Sequence, residues 1–326
     1  MHCKITGLGS YLPEKIVTND DLSKILDTSD EWISTRTGIK ERRVADISRE
    51  STASMGYFAA QKALHMAKIS AQDLDFILVA TSTPEYRLPA TAVVIQDLLK
   101  AYDIPALDIS AACAGSIYGL SIANSFIKAG IYKNILLITS ETMSAVINPQ
   151  DRNTAILFGD AASAAVLSAS SEPGGFIDID IYADGRQQQT IWIPAGGCLK
   201  PVDHEALDQN LDKVVMNGRE TFKFAVRALC DAIDKLLNRY NLSPSDITFA
   251  VPHQANLRII EAIAKRLDLP MERFLINLDR CANTSAASLL LAYDEAWREN
   301  KLKPNDLVLM LAIGAGMVWG AALYRV

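Results

Sequence analysis

The strongest constraint on this chain is an internal echo at an offset of 173 residues, from Asp73 to Asp246. A helix leading into Asp73-Leu74-Asp75-Phe76 and an apolar strand returns as a helix leading into Asp246-Ile247-Thr248-Phe249 and another strand. Two further segments repeat in the same order. Leu107 to Cys113 lies close to Leu278 to Asn283, and Asn134 to Leu137 maps onto Asp306 to Leu309. Three ordered matches argue for one duplicated unit. Turn formers cluster at Ser170-Ser171-Glu172-Pro173-Gly174-Gly175, which places the seam there and divides the chain into halves 1–172 and 173–326. Equivalent loops of the two halves would converge about a pseudo-twofold axis, a natural place for a shared site.

Each unit reads as α/β. Phe76 to Ala80, Ile135 to Ile138 and Leu307 to Leu311 are continuous apolar runs of strand length, as in a sheet covered on both faces. Amphipathic helices alternate with them. The clearest is Arg219 to Tyr240, where Phe222, Val226, Leu229, Ile233, Leu236 and Tyr240 recur every three or four residues and should face a sheet. Leu307 to Tyr324 is uncharged over a length that raises the question of a membrane span. Gly314, Gly316 and Gly320 interrupt it, so it predicts two strands, Leu307 to Ile313 and Met317 to Tyr324, and no membrane association.

Composition narrows the function. A hydrophobic content of 49% with 21% charged residues belongs to a chain that buries a large core. The net charge of −6 argues against a general nucleic-acid binder. Five cysteines, odd in number and never spaced C-x-x-C, suggest neither a disulfide framework nor a metal site. The start Met1-His2-Cys3-Lys4-Ile5 lacks a secretion signal, so a cytoplasmic location is expected.

Three positions stand out as candidates for chemistry. Cys113 follows a strand-like run and precedes Ala114-Gly115-Ser116, which puts its sulfur at a helix start, where free N–H groups and the helix dipole lower a thiol's pKa. A small buried cysteine would look the same in isolation. His253, in Val251-Pro252-His253-Gln254-Ala255-Asn256, sits at a strand's C-terminal end, a position suited to catalysis or to a hydrogen-bonded structural histidine. Asn283 occupies the loop that the repeat pairs with that of Cys113; alone it reads equally as a helix cap. Gly314-Ala315-Gly316 is either a tight turn or a source of backbone N–H groups for an oxyanion.

Taken together, these segments resemble the 3-oxoacyl-[acyl-carrier-protein] synthase III family of the thiolase superfamily, over essentially the whole chain. The carriers are Asp27 to Ile39, Ala111-Ala112-Cys113-Ala114-Gly115, Asp151-Arg152, Phe158-Gly159-Asp160, Val251 to Arg258, Asn283 to Ser288 and Gly314 to Gly320. The resemblance implies a thiolase-like five-layered αβαβα fold and a homodimer. It makes Cys113, His253 and Asn283 a catalytic triad, with the backbone N–H groups of Cys113 and Ala315 as the oxyanion hole. It also implies that Trp32 stacks on a CoA adenine beside Thr28, Arg36 and Arg152, that Gly218 and Asn256 line a pantetheine tunnel, and that Leu88 caps the partner's acyl pocket. Leu88 stands where some relatives carry Phe, which implies room for a longer or branched primer.

The reaction so implied is the condensation that initiates fatty acid synthesis. A short acyl-CoA such as acetyl-CoA acylates Cys113, and malonyl-[acyl-carrier-protein] then condenses with loss of CO₂. Both are substrates, and no tightly bound cofactor or metal is expected. Lys223, Arg258, Lys265 and Arg266 would form the basic patch that receives the acidic carrier protein. Two departures from the family pattern stand near the triad: Ala282 replaces a glycine before Asn283, and Ala161-Ala162-Ser163 replaces glycines after Asp160. They keep open a thiolase-fold acyltransferase or a ketosynthase of secondary metabolism with a different acyl group or acceptor. A papain-like protease shares the order Cys, His, Asn, but its C-G-[SA]-C-[WY] signature is absent. A catalytically silent acyl-binding homologue is disfavoured by three competent residues.

Overall fold

Each half builds one sheet, and the two sheets repeat each other strand for strand. The computed structural model describes residues 1–326. The first sheet runs, in spatial order, His2–Tyr11, Ala161–Ser170, Asn134–Glu141, Phe76–Ala80 and Ala106–Ile109. The second runs Gly175–Ala183, Val318–Arg325, Leu307–Gly314 and Phe249–Pro252, with Phe274 making a single parallel bridge to Ala250 where a fifth strand would stand. Directions correspond as well: Phe76–Ala80 is parallel to Asn134–Glu141 as Phe249–Pro252 is to Leu307–Gly314, and Ala161–Ser170 and Val318–Arg325 are each antiparallel to both of their neighbours.

The strands fix the repeat more sharply than the sequence did. Asn134–Glu141 recurs as Leu307–Gly314, and the short turn Ala112–Ala114 as Ser285–Ala287, each 173 residues on, as from Ala112 to Ser285. One sequence match is thereby corrected. Leu278–Cys281 is a short helix rather than the twin of Ala106–Ile109, because Leu278 and Cys281, three residues apart and both buried, anchor one helical turn. The counterpart of the Cys113 turn is Ser285–Ala287, two residues beyond Asn283.

Five layers result. Helices Thr52–Ala67 and Thr91–Leu99 cover the outer face of the first sheet, and Gly218–Arg239 and Leu257–Leu267 that of the second. Between the sheets lie Gly115–Lys128 and Ser288–Arg298, each touching strands of both. Ile117, Leu120, Leu290 and Tyr293 from these two helices fill a central core with Leu78, Leu137 and Met310. Burial on both faces explains why the strand sequences are apolar without alternation: every residue of Leu307–Gly314 is buried. The uncharged segment divides into Leu307–Gly314 and Val318–Arg325, and no helix is long and apolar enough to cross a membrane.

The long helix spans Gly218–Arg239, and Leu229, Ile233 and Leu236 of its predicted stripe are buried on the sheet. Phe222 departs from that stripe. It is 39% exposed and lines a cavity, and Tyr240, the cap beyond the helix's last residue, is as exposed.

Candidate active site

At the C-terminal ends of the central strands, where the halves meet, a cavity of about 720 Å³ is lined by Cys113, His253, Asn283 and Ala315. Cys113 lies in the turn Ala112–Ala114 that connects strand Ala106–Ile109 to helix Gly115–Lys128. His253 follows strand Phe249–Pro252, its backbone N–H donating to the Leu311 carbonyl at 2.6 Å. Asn283 is held from the other side: its N–H donates to the Leu157 carbonyl at 2.9 Å, and its own carbonyl accepts from Gly159 N–H at 3.0 Å. Three chain segments distant in sequence thus present their side chains to one space.

Hydrogen bonding settles how His253 and Asn283 face that space. Ser288 Oγ accepts from Gln254 N–H at 3.2 Å and lies 2.6 Å from His253 Nδ1, its only other partner. The Ser288 hydroxyl proton therefore has Nδ1 as its acceptor, which assigns the imidazole proton to Nε2. Asn283 Oδ1 accepts from Ser285 N–H at 2.8 Å, which leaves the amide NH₂ as the group offered to the cavity. Burial pulls the His253 pKa down to about 3, so the ring is neutral at physiological pH. Two neutral donors aimed at one cavity suit a developing oxyanion.

The lowered pKa has a consequence for stability. Between pH 3 and 6.5 the unfolded chain binds a proton at this imidazole that the folded chain refuses, so the His253 contribution rises with pH through that window. We expect His253→Gln to lose less stability than the parent between pH 7 and pH 4 when urea midpoints are compared; equal losses would contradict a buried neutral ring.

Cys113 corrects an expectation. The helix start is present, yet the thiol is pushed up to about 12, chiefly by desolvation, with the negative charge of Glu141 adding to it. Desolvation outweighs the helix terminus, and Cys113 rests as a thiol. Beside it, Gly314 is packed so closely that a Cβ there would stand 2.5 Å from Cys113 N and 2.9 Å from Ala114 N. That contact sets the Cys113 N–H next to the Ala315 segment.

Sequence reasoning missed Glu141, Ser285 and Ser288. Glu141 is wholly buried at the end of strand Asn134–Glu141, and Ser285 Oγ lies 3.0 Å from its Oε1 and 3.4 Å from Cys113 Sγ. A charged residue closing an apolar strand was the available signal.

Strained backbone is present at the site. Ala112, Ala282 and Ser285 have φ of 44°, 58° and 49°, values that favour glycine or asparagine. Ala282, with ψ of −161°, lies in the region most specific to glycine. Ala282→Gly should therefore raise stability by about 1 kcal/mol, read as a higher melting temperature; an unchanged or lower value would show the methyl to be well accommodated. Ser163, by contrast, is integrated, its hydroxyl donating to the Ala287 carbonyl at 2.9 Å and tying the strand to the Ser285–Ala287 turn.

The remaining candidates fall into groups. Two guanidinium groups lie over the Trp32 ring, Arg36 at 4.4 Å and Arg152 at 4.6 Å from its centroid. Arg36 also lines the cavity, so this stack stands at its rim. Arg152 donates to the Asp27 carbonyl at 2.8 Å, and the neighbouring Thr28 Oγ1 is buried without a partner. Gly218 and Asn256 line the cavity, Asn256 capping helix Leu257–Leu267. Leu88 lies outside it and is 88% exposed. Arg258 reaches the cavity wall and donates to the Thr35 carbonyl, whereas Lys223 pairs with Glu220 and Arg266 with Asp234 on the surface; Lys265 is exposed.

A cysteine, a neutral imidazole and an amide in one cavity between duplicated α/β halves are an arrangement suited to acyl transfer through a cysteine. Comparison with known proteins makes this specific. Family models described as 3-oxoacyl-[acyl-carrier-protein] synthase III and its C-terminal region match residues 107–185 and 237–326. Beta-ketoacyl-[acyl-carrier-protein] synthase III of Caldanaerobacter subterraneus subsp. tengcongensis is 48% identical, covering 98% of this chain and 97% of its own, and that of Clostridioides difficile is 46% identical over the same shares. The crystal structure of 3-oxoacyl-[acyl-carrier-protein] synthase III from Aquifex aeolicus VF5 matches with a TM-score of 0.92 at 44% identity, covering 99% of this chain and all of that one. The chain belongs to the 3-oxoacyl-[acyl-carrier-protein] synthase III family.

Proposed function

We propose that this enzyme performs the opening condensation of fatty acid synthesis: acetyl-CoA or another short acyl-CoA acylates Cys113, and malonyl-[acyl-carrier-protein] then yields 3-oxoacyl-[acyl-carrier-protein], CoA and CO₂. The observation that carries the reading is the pair of neutral donors, His253 Nε2–H and the Asn283 amide, facing the cavity that holds Cys113. In the first half-reaction the Cys113 sulfur attacks the acyl-CoA carbonyl and CoA departs. In the second, the malonyl group loses CO₂, and charge develops on its thioester oxygen, where His253 and Asn283 donate. The resulting carbanion attacks the acyl-Cys113 carbonyl. A tetrahedral oxyanion forms, stabilised by the backbone N–H groups of Cys113 and Ala315, and its collapse frees the cysteine. A charged imidazolium would quench the carbanion by protonation, so the neutral ring suits this chemistry.

The Trp32, Arg36 and Arg152 stack at the rim would hold the adenine end of CoA beside Thr28, with Gly218 and Asn256 along the pantetheine. The carrier protein would dock on Lys223, Arg258, Lys265 and Arg266, of which Arg258 and Lys265 form no ion pair within the chain. Two features support a homodimer: Ala106–Ile109 is an edge strand with Leu107 44% exposed, and the apolar Leu88 stands free of its own chain. In that arrangement Leu88 would close the partner's acyl pocket.

Intact mass tests the reading. The enzyme is incubated with acetyl-, butyryl- or octanoyl-CoA and then with malonyl-[acyl-carrier-protein]. Acylation at Cys113 followed by a 3-oxoacyl product and CO₂ is the expected result, and the preferred CoA names the primer. Transfer without CO₂ would identify an acyltransferase of another pathway, and no acylation with any CoA would overturn the mechanism.

A further inference from the structure

We propose that Ser285 and Glu141 form a proton wire to the nucleophile: as Cys113 attacks the acyl-CoA, its thiol proton passes to the Ser285 oxygen while the Ser285 hydroxyl proton passes to Glu141. The inference rests on the acylation step above and adds the acceptor that step lacks.

The direction of the wire follows from donor counting. Glu141 Oε2 accepts from Thr83 Oγ1 at 2.8 Å, Ser82 N–H at 3.0 Å and Thr81 Oγ1 at 3.3 Å, and the Ala286 backbone donates to the same carboxyl group. Burial raises the Glu141 pKa, and this ring of donors opposes the rise by favouring the carboxylate; in the wire Glu141 rests as that carboxylate, and Ser285 donates its single proton to Oε1 across 3.0 Å. The Ser285 oxygen is then free to accept from the Cys113 thiol 3.4 Å away. Two features mark the arrangement as more than packing. Glu141 is completely buried with no cation beside it, an expensive way to keep a carboxylate. Ser285 is held at a φ of 49°, while its N–H orients Asn283. His253 offers no alternative, since its ring resists protonation above pH 3.

The atoms balance. The S–H bond of Cys113 breaks as its S–C bond to the acyl carbonyl forms; Ser285 gives up one proton and gains one; Glu141 becomes a neutral acid. CoA leaves with the electron pair of its C–S bond, and Glu141 returns the proton to that sulfur by the same path. Glu141 is thus a positioning and proton-holding residue that acts through Ser285.

The test compares the parent with Glu141→Gln, Ser285→Ala and the double variant, reading alkylation of Cys113 by iodoacetamide and acylation by acetyl-CoA from pH 6 to 9. The wire predicts that each single variant slows both reactions by about 10²-fold near pH 7, that the double variant is no slower than the slower single one, and that the deficit shrinks as hydroxide takes over at higher pH. A role limited to charge gives the opposite sign. Removing a negative group that raises the thiol's pKa makes Glu141→Gln react faster. Equal or faster alkylation in Glu141→Gln overturns the wire; should that variant fail to fold, unchanged alkylation in Ser285→Ala does so. Slowed alkylation in the variants with no acylation of the parent by any CoA leaves the wire standing and removes the synthase reading. Normal acylation in parent and variants alike does the reverse.

Discussion

Cys113→Ser is expected to take up no acyl group from any acyl-CoA and to lose condensation by at least about 10³-fold while folding normally. The site lacks what a serine would need. A hydroxyl at this position ionises far less readily than a thiol already raised to about 12, and the nearby imidazole has no appetite for a proton. His253 and Asn283 are untouched by the substitution, so residual release of CO₂ from malonyl-[acyl-carrier-protein] should persist. Intact mass and CO₂ release read the two effects separately. An acylated serine variant turning over near the parental rate would remove Cys113 from the chemistry.

A second large effect is expected one layer away. In Gly314→Ala the added methyl would lie 2.5 Å from Cys113 N, 2.9 Å from Ala114 N and 3.0 Å from Ala112 Cβ, all on a turn that cannot yield without moving the nucleophile. Displacing the Cys113 N–H from a tetrahedral oxyanion costs about 10²–10³ in rate, and the overpacking costs about 1–3 kcal/mol of stability. Steady-state kcat with a thermal melt checks both. Full activity would show that the Cys113 N–H takes no part in holding the oxyanion.

Much of this was legible in the chain. Apolar strands without alternation announced sheets covered on both faces, and the displaced copies of Asp73-Leu74-Asp75-Phe76 announced that there were two. Cys113, His253 and Asn283 were readable because each sits at the end of a strand or beside a helix start, where local sequence is distinctive. Glu141, Ser285 and Ser288 were not, because their importance comes from tertiary neighbours: a serine becomes a relay only when a carboxylate and a sulfur lie on either side of it. The thiol's pKa was misread for a related reason. A helix start can be seen in sequence, whereas the loss of water around it cannot. Ala282 shows the reverse, since the departure from glycine was visible and the strained backbone it implied is present.

The helices between the sheets have one more consequence. Gly115–Lys128 belongs to the first half by sequence, yet it lies against Leu307–Gly314 and Val318–Arg325 of the second as well as against its own strands, and Ser288–Arg298 reciprocates. Each half keeps an interior of its own beneath its outer helices, Ala45 to Val166 in the first and Ala225 to Leu323 in the second, but the central core draws on both. The halves are therefore locked together through that middle layer, and Cys113 stands in the short turn that leads into it.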